Sequence, residues 1–139
     1  MHPRHATRTI HVGGLSIGGN APIRIQSMTN TDTRDAQATM GQIRRLAQAG
    51  CELVRVAVPD QAAAHALPEI IAESPIPVVA DIHFDYRLAL AAVEFGVHGL
   101  RINPGNIGSH KRMNLVVDAA RANALPIRIG VNSGSVEKS

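Results

Sequence analysis

Val78-Val-Ala-Asp-Ile-His-Phe-Asp-Tyr-Arg-Leu-Ala-Leu-Ala-Ala-Val-Glu-Phe-Gly-Val-His-Gly-Leu-Arg-Ile-Asn103 reads as a strand, a helix and a second strand. The run from Val78 to Ile82 is short and rich in β-branched residues. Asp85 stands where a helix N-cap belongs, and Leu88, Ala91, Ala92 and Phe95 recur at helical spacing. Gly96 is placed to leave the helix in the left-handed conformation, and Gly99 to Asn103 resumes a strand. Two strands joined by a helix pair in parallel, because the connection must cross back over the sheet.

The same unit repeats on both sides. Further strands are expected at Ile23 to Met28, Leu53 to Val58 and Ile127 to Asn132. Helical spacing recurs in Ala36, Met40, Ile43 and Ala47, and in Met113, Val116, Val117 and Ala120. Thr33, Asp60 and Ser109 are the expected N-caps, and Gly50 and Asn123 the expected left-handed exits. Pro68 interrupts the second helical run, which predicts a bend or two short pieces. Before all of this, Thr9-Ile-His-Val-Gly-Gly-Leu-Ser-Ile-Gly-Gly19 alternates apolar and polar residues around Gly13-Gly14, the pattern of a β-hairpin. Such a hairpin can plug the amino-terminal end of a barrel.

Five strands with helical crossovers at about 25 to 30 residues per unit fit a half-finished (β/α)8 barrel or an open doubly wound sheet. No GxGxxG follows the first strand, which disfavours the dinucleotide-binding version of the latter. The expected fold class is therefore α/β: a partial TIM barrel of about five strands preceded by an N-terminal β-hairpin. No linker or low-complexity tract divides the chain, so residues 1–139 are expected to form part of one domain.

Composition agrees. The chain is 45% hydrophobic and 18% charged, the balance of a globular protein, but only 2% aromatic with no Trp. Its core must then be aliphatic, which suits parallel strands under Ala-rich helices. The 14 Lys and Arg against 11 Asp and Glu are mostly Arg, a residue suited to bidentate binding of phosphate or carboxylate. Nucleic acid is the rival partner of a basic chain, but the aromatics that stack bases are nearly missing, and no nucleic-acid role is expected. The lone Cys51 permits no intrachain disulfide and cannot hold an iron-sulfur cluster; it is expected to be a buried structural thiol at the end of the sheet away from the site. The other histidines lack metal-ligand spacing, so no metal site is expected. No signal core or apolar run near the ~18 residues of a membrane helix is present, and a soluble cytoplasmic protein is expected.

Alternation along a strand sorts each run into two faces. One set is aliphatic and is expected to meet the helices: Ile23 and Ile25; Val54, Val56 and Val58; Val78, Ala80 and Ile82; Leu100 and Ile102; Ile127, Ile129 and Val131. The other points inward and contains Arg24, Gln26, Arg55, Asp81, His83, Arg101, Asn103, Arg128 and Asn132. Buried guanidiniums need counter-charge, and the carboxyl-terminal face is where barrel enzymes place their sites. A ligand with more than one phosphate is the simplest partner; carboxylates from further strands are the alternative. Arg24, early in its strand, reads as structural beside the hairpin. Asn103-Pro-Gly-Asn-Ile-Gly108 reads as a tight loop able to offer backbone N–H groups to phosphate.

Five blocks carry a family resemblance: Gln26-Ser-Met-Thr-Asn-Thr-Asp-Thr33, Gly50-Cys-Glu-Leu-Val-Arg-Val-Ala-Val-Pro-Asp60, Val79-Ala-Asp-Ile-His-Phe-Asp-Tyr-Arg-Leu-Ala-Leu90, Arg101-Ile-Asn-Pro-Gly-Asn-Ile-Gly108 and Arg128-Ile-Gly-Val-Asn-Ser-Gly-Ser-Val-Glu-Lys138. In this order they resemble the 4-hydroxy-3-methylbut-2-en-1-yl diphosphate synthase family, nearly collinearly from Arg8 to Lys138. The resemblance implies a reductive dehydration of 2-C-methyl-D-erythritol 2,4-cyclodiphosphate in the non-mevalonate isoprenoid pathway. It implies a [4Fe-4S] cluster held by a carboxyl-terminal domain, electrons from flavodoxin or ferredoxin, and a homodimer. It assigns substrate binding to Arg55, His83, Arg101, Arg128 and Asn132, and the inward phase of Gln26, Asp81 and Asn103 adds these as further expected contacts. Strands six to eight and the cluster domain have no counterpart in the sequence, so this chain is expected to bind no cluster and to be inactive by itself. Two other readings stay open: a phosphate- or pterin-binding barrel similar to dihydropteroate synthase, and a noncatalytic remnant.

Overall fold

A computed structural model describes residues 2–132 and Gly134; residues 133 and 135–138 of the last quoted block lie outside the described residues. The chain begins with an antiparallel hairpin of β1 (Ile10–Val12) and β2 (Leu15–Ile17). A five-stranded parallel sheet follows, formed by β3 (Gln26–Met28), β4 (Leu53–Val58), β5 (Val78–Ile82), β6 (Gly99–Ile102) and β7 (Ile127–Ile129). The connections carry α1 (Ala36–Gln48), α2 (Gln61–Glu73), α3 (Tyr86–Glu94), the single turn α4 (Pro104–Ile107) and α5 (His110–Ala122).

The strand order is β3-β4-β5-β6-β7, the order of the sequence, with every neighbouring pair parallel. A doubly wound sheet would reverse direction at a switch point, so this order leaves the barrel. Curvature agrees. Arg128 Nη1 on β7 donates to Gln26 Oε1 on β3 at 3.1 Å. Four flat strand spacings would separate those edges by ~19 Å, more than the two side chains span, so the sheet must curl toward closure.

The aliphatic face of the central strands is the core. Val54, Val56, Val58, Val78, Ala80, Ile82 and Ile102 have no exposed surface and pack with Met40, Ile43, Leu67 and Ile70 of α1 and α2. The expectation fails at the two edges, where Ile23 is 81%, Ile25 59%, and Ile129 and Val131 each 65% exposed. Those strands are also shorter than expected, pairing over three residues each, because an edge strand is held from one side alone.

Four local expectations are corrected. The N-cap of α1 is Asp35, whose carboxylate accepts from Ala38 N at 3.0 Å; Thr33 is instead buried in the preceding loop. Helix α2 is continuous through Pro68, which lies on its exposed side while Leu67 and Ile70 anchor the helix to the sheet. The left-handed residue after α5 is Ala124, φ 51°, and not Asn123, because Leu125 N–H closes back on Ala120 C=O at 2.8 Å in a Schellman ending. The segment after Asn103 is a helical turn and not a plain loop. Asp60, Asp85 and Ser109 cap as expected, and Gly50 and Gly96 have φ of 101° and 86°.

The hairpin plugs the amino-terminal end of the sheet. Val12 packs with Leu53 and Val79, at the first turns of β4 and β5, backed by Leu15 and Ile17. Arg24 ties it down, donating to Ser16 O at 2.9 Å and pairing with Glu52 at 3.1 Å, the structural role read for it. Gly13, at φ +58°, lets the turn lie against Pro77 and His98.

Candidate functional site

At the opposite, carboxyl-terminal end, the inward polar residues of β4, β5 and β6 converge on Asp81. This side chain is 3% exposed. Arg55 Nε lies 3.2 Å from its Oδ2, Arg101 Nη1 3.4 Å from its Oδ1, and His83 Nε2 3.7 Å from its Oδ2. The register explains the meeting. Arg101 is the direct cross-strand neighbour of Asp81, while Arg55 sits two positions below the residue opposite Asp81 and reaches up along the face. A carboxylate so buried is stable only when paired, and these two guanidiniums pair it.

The charges do not balance. Arg101 is also the direct cross-strand neighbour of Arg128 on β7, and like charges at opposed positions repel. Arg128 is exposed and finds only the neutral Gln26 as a hydrogen-bonding partner among the described residues. Among the described residues this face thus carries three guanidiniums and one carboxylate, and it is Arg55 and Arg101 that pair with it. Arg55 Nε is buried and makes no well-aligned hydrogen bond among the described residues. The counter-charge expected from outside these strands is therefore partly supplied within them, by Asp81, and among the described residues two positive charges are left over on this face.

The remaining predicted site residues lie around this cluster. Gln26 is half-buried at the start of β3 and holds Arg128. Asn103, 2% exposed, caps α4 by accepting from Gly105 N at 3.1 Å, so that N–H is engaged internally and is not offered outward. Asn132 lies past the end of β7, in a turn where its Oδ1 accepts from Gly134 N at 3.1 Å. His83 is about one-third exposed and stands edge-on to the exposed Phe84. At the rim, Arg87 donates to Asp85 and holds that carboxyl below its ordinary range, while the carboxylate holds the guanidinium above its own.

Three features escaped the sequence reading. The hydroxyls of Thr29 and Thr33, in the loop after β3, are buried without a hydrogen-bond partner among the described residues. Thr29 N also bonds to Arg55 O at 3.1 Å, which puts that loop beside the arginine. Gly130, one residue past β7, lies under the Arg101 guanidinium, which fills the space a side chain would take. Its signal was its phase: it alternates inward between Arg128 and Asn132.

Cys51 is 7% exposed at the entry to β4, its thiol directed to Leu53 O at 3.0 Å, as expected of a structural cysteine. Among the described residues no group of His, Cys, Asp and Glu could hold a metal ion, and no helix is long and apolar enough to cross a membrane.

A parallel sheet in barrel order, with a cationic cluster on its carboxyl-terminal face, places the chain among the TIM-barrel proteins. Within that class the chain belongs to the GcpE TIM-barrel domain family, whose model matches residues 7–139. It is 63% identical to the 4-hydroxy-3-methylbut-2-en-1-yl diphosphate synthase (flavodoxin) of Lawsonia intracellularis over 138 residues, 99% of this chain and 38% of that protein. It is 61% identical to the synthase of the same name from Maridesulfovibrio salexigens, over 100% of this chain and 39% of that protein. The chain thus spans about two-fifths of the length of these relatives. Among solved structures it is similar to a mandelate oxidase mutant with the monooxide FMN adduct, at a TM-score of 0.57 and 20% identity over 80% of this chain and 43% of that one. That likeness concerns the fold alone.

Proposed function

We propose that this chain is the substrate-holding barrel portion of a 4-hydroxy-3-methylbut-2-en-1-yl diphosphate synthase, and that Arg55, Arg101 and Arg128 bind the diphosphate of 2-C-methyl-D-erythritol 2,4-cyclodiphosphate. The observation that carries the reading is the surplus, among the described residues, of two guanidiniums over the carboxylate of Asp81 on one inward face. A cyclic diphosphate supplies two negative charges and oxygens on several sides, which matches that surplus in sign and number. His83 and Asn132, at the open end of the same face, are assigned to the remaining phosphate and hydroxyl oxygens, with Gln26 and Asn103 holding the wall around them.

The reaction proposed is the two-electron reductive dehydration that the resemblance implies, with flavodoxin, a word in the relatives' name, as the electron donor. A [4Fe-4S] cluster does not fit the residues present here. The one thiol, Cys51, is buried at the plugged end and already engaged by Leu53 O. About four ligands, mostly thiolates, are needed. Redox chemistry is therefore assigned to protein outside these strands. Their own work is to bind the diphosphate, to fix it against the sheet and to displace water from the guanidiniums. A homodimer in a cytoplasmic setting is proposed with the same family.

With the family shown, nothing in the site favours the pterin-binding alternative. Amide hydrogen exchange tests the proposal. The cyclodiphosphate should protect the carboxyl-terminal ends of β4, β6 and β7 at concentrations where a pterin gives no protection. Protection by the pterin alone, or of the hairpin end instead, would refute it.

A further inference from the structure

Gly130 follows β7 and shares the inward phase of Arg128. A Cβ built on it would lie 2.5 Å from Arg101 Nη2, 2.7 Å from Nε and 2.9 Å from Cζ. Contacts between such atoms rest at about 3.5 Å or more, so a side chain at 130 and the guanidinium in its observed place exclude one another. The guanidinium is laid against the bare backbone of the next strand. That backbone is itself held, Gly130 N–H donating to Ile102 O at 3.0 Å. Gly130 is not in the positive-φ region, so the missing Cβ answers no backbone need of the turn. Its absence serves the side chain lying above it.

Arg101 is the residue between the two poles of the cluster, neighbour to Asp81 on one strand and to Arg128 on the other. Tilting its guanidinium off β7 would draw it away from Arg128 and change the spacing of the donors facing an anion. The clash falls on the far end of a flexible side chain, so relief is cheap for the fold and costly for the geometry.

We propose that Gly130 is a positioning residue for the diphosphate site: it sets the plane of the Arg101 guanidinium and thereby the donor geometry presented to the ligand. The inference rests on the diphosphate reading given above. Inorganic pyrophosphate, titrated calorimetrically into the wild type, G130A, R101A and the G130A/R101A double variant, tests it. G130A should weaken binding on the order of tenfold, the scale for losing one charge-assisted hydrogen bond. Its thermal midpoint should stay within a few degrees of wild type. In the R101A background the same substitution should change affinity by less than about twofold, since no guanidinium remains to be displaced.

Wild-type affinity in G130A would overturn the proposal. So would an equal loss in the R101A background, which would show that residue 130 acts through the strand and not through Arg101. A G130A protein that failed to fold would overturn it too, because the displaced group carries none of the core. Equal binding by wild type and R101A would instead sink the diphosphate reading itself, and the proposal with it.

Discussion

Asp81→Ala removes the carboxylate that pairs Arg55 and Arg101, and its cost follows from the geometry. Breaking a buried ion pair by removing one partner costs roughly 3 to 5 kcal/mol when the other is left desolvated. Here the carboxylate is 3% exposed, but Arg55 and Arg101 keep 24% and 20% of their side-chain surface in water. Water reaches the stranded guanidiniums in part, which brings the figure down to about 2 to 3 kcal/mol. The repulsion between Arg101 and Arg128, opposed on β6 and β7, is then no longer offset. The loss should be greatest at low salt and shrink as salt screens the arginines. Urea unfolding of wild type and variant at low and high ionic strength measures both effects. A variant within about 0.5 kcal/mol of wild type at low salt, the range of an ordinary surface change, would refute the view of Asp81 as the internal counter-ion.

Further predictions concern the rest of the scaffold. His98 is half-buried, its Nδ1 accepts from Val78 N at 3.0 Å, and burial lowers its pKa below the ordinary 6.5. The unfolded chain then takes up a proton that the folded chain resists, so stability should fall as pH drops below about 6.5 until the folded-state value is passed, and His98→Gln should flatten that part of a urea-midpoint profile. Glu52→Gln should cost about 1 kcal/mol or less, because the Arg24 pair is partly solvated, and should raise amide exchange in the hairpin before the sheet. Ile82→Ala, at a position with no exposed surface beneath the helices, should cost about 2 to 5 kcal/mol by chemical denaturation, with pyrophosphate affinity retained at concentrations where the protein is folded.

Central strands were readable because their neighbours are supplied by the same stretch of sequence. Val54, Val56 and Val58 alternate with Arg55 and Ala57, and both partner strands and two helices are present to bury the aliphatic face. Ile23 and Ile129 carry the same pattern and are exposed, since burial at an edge depends on what lies beside the strand and not on the strand. The cap of α1 was misplaced because Asp32, Thr33 and Asp35 are all competent caps within one turn, and the choice belongs to the phase that buries Met40 and Ile43. Strand phase also selected Arg55, Asp81 and Arg101 as one inward group. It could not show that Asp81 neutralises part of that group from within, a matter of a few ångströms between side chains. Gly130 was passed over for the opposite reason: its contribution is space, which alternation records without assigning it a purpose.

If the inward arginines hold a diphosphate, replacing Arg128 should show it with the least disturbance of the fold. Arg128 has a neutral partner, Gln26, and lies outside the aliphatic core, so its replacement leaves the fold largely alone. Titration of 2-C-methyl-D-erythritol 2,4-cyclodiphosphate into wild type and R128A should show a loss of roughly 2 to 5 kcal/mol in binding free energy, the scale for removing one side of a desolvated charge pair, with little change in unfolding free energy. Equal affinity of the two proteins for the cyclodiphosphate, or an R128A chain that no longer folds, would contradict the account.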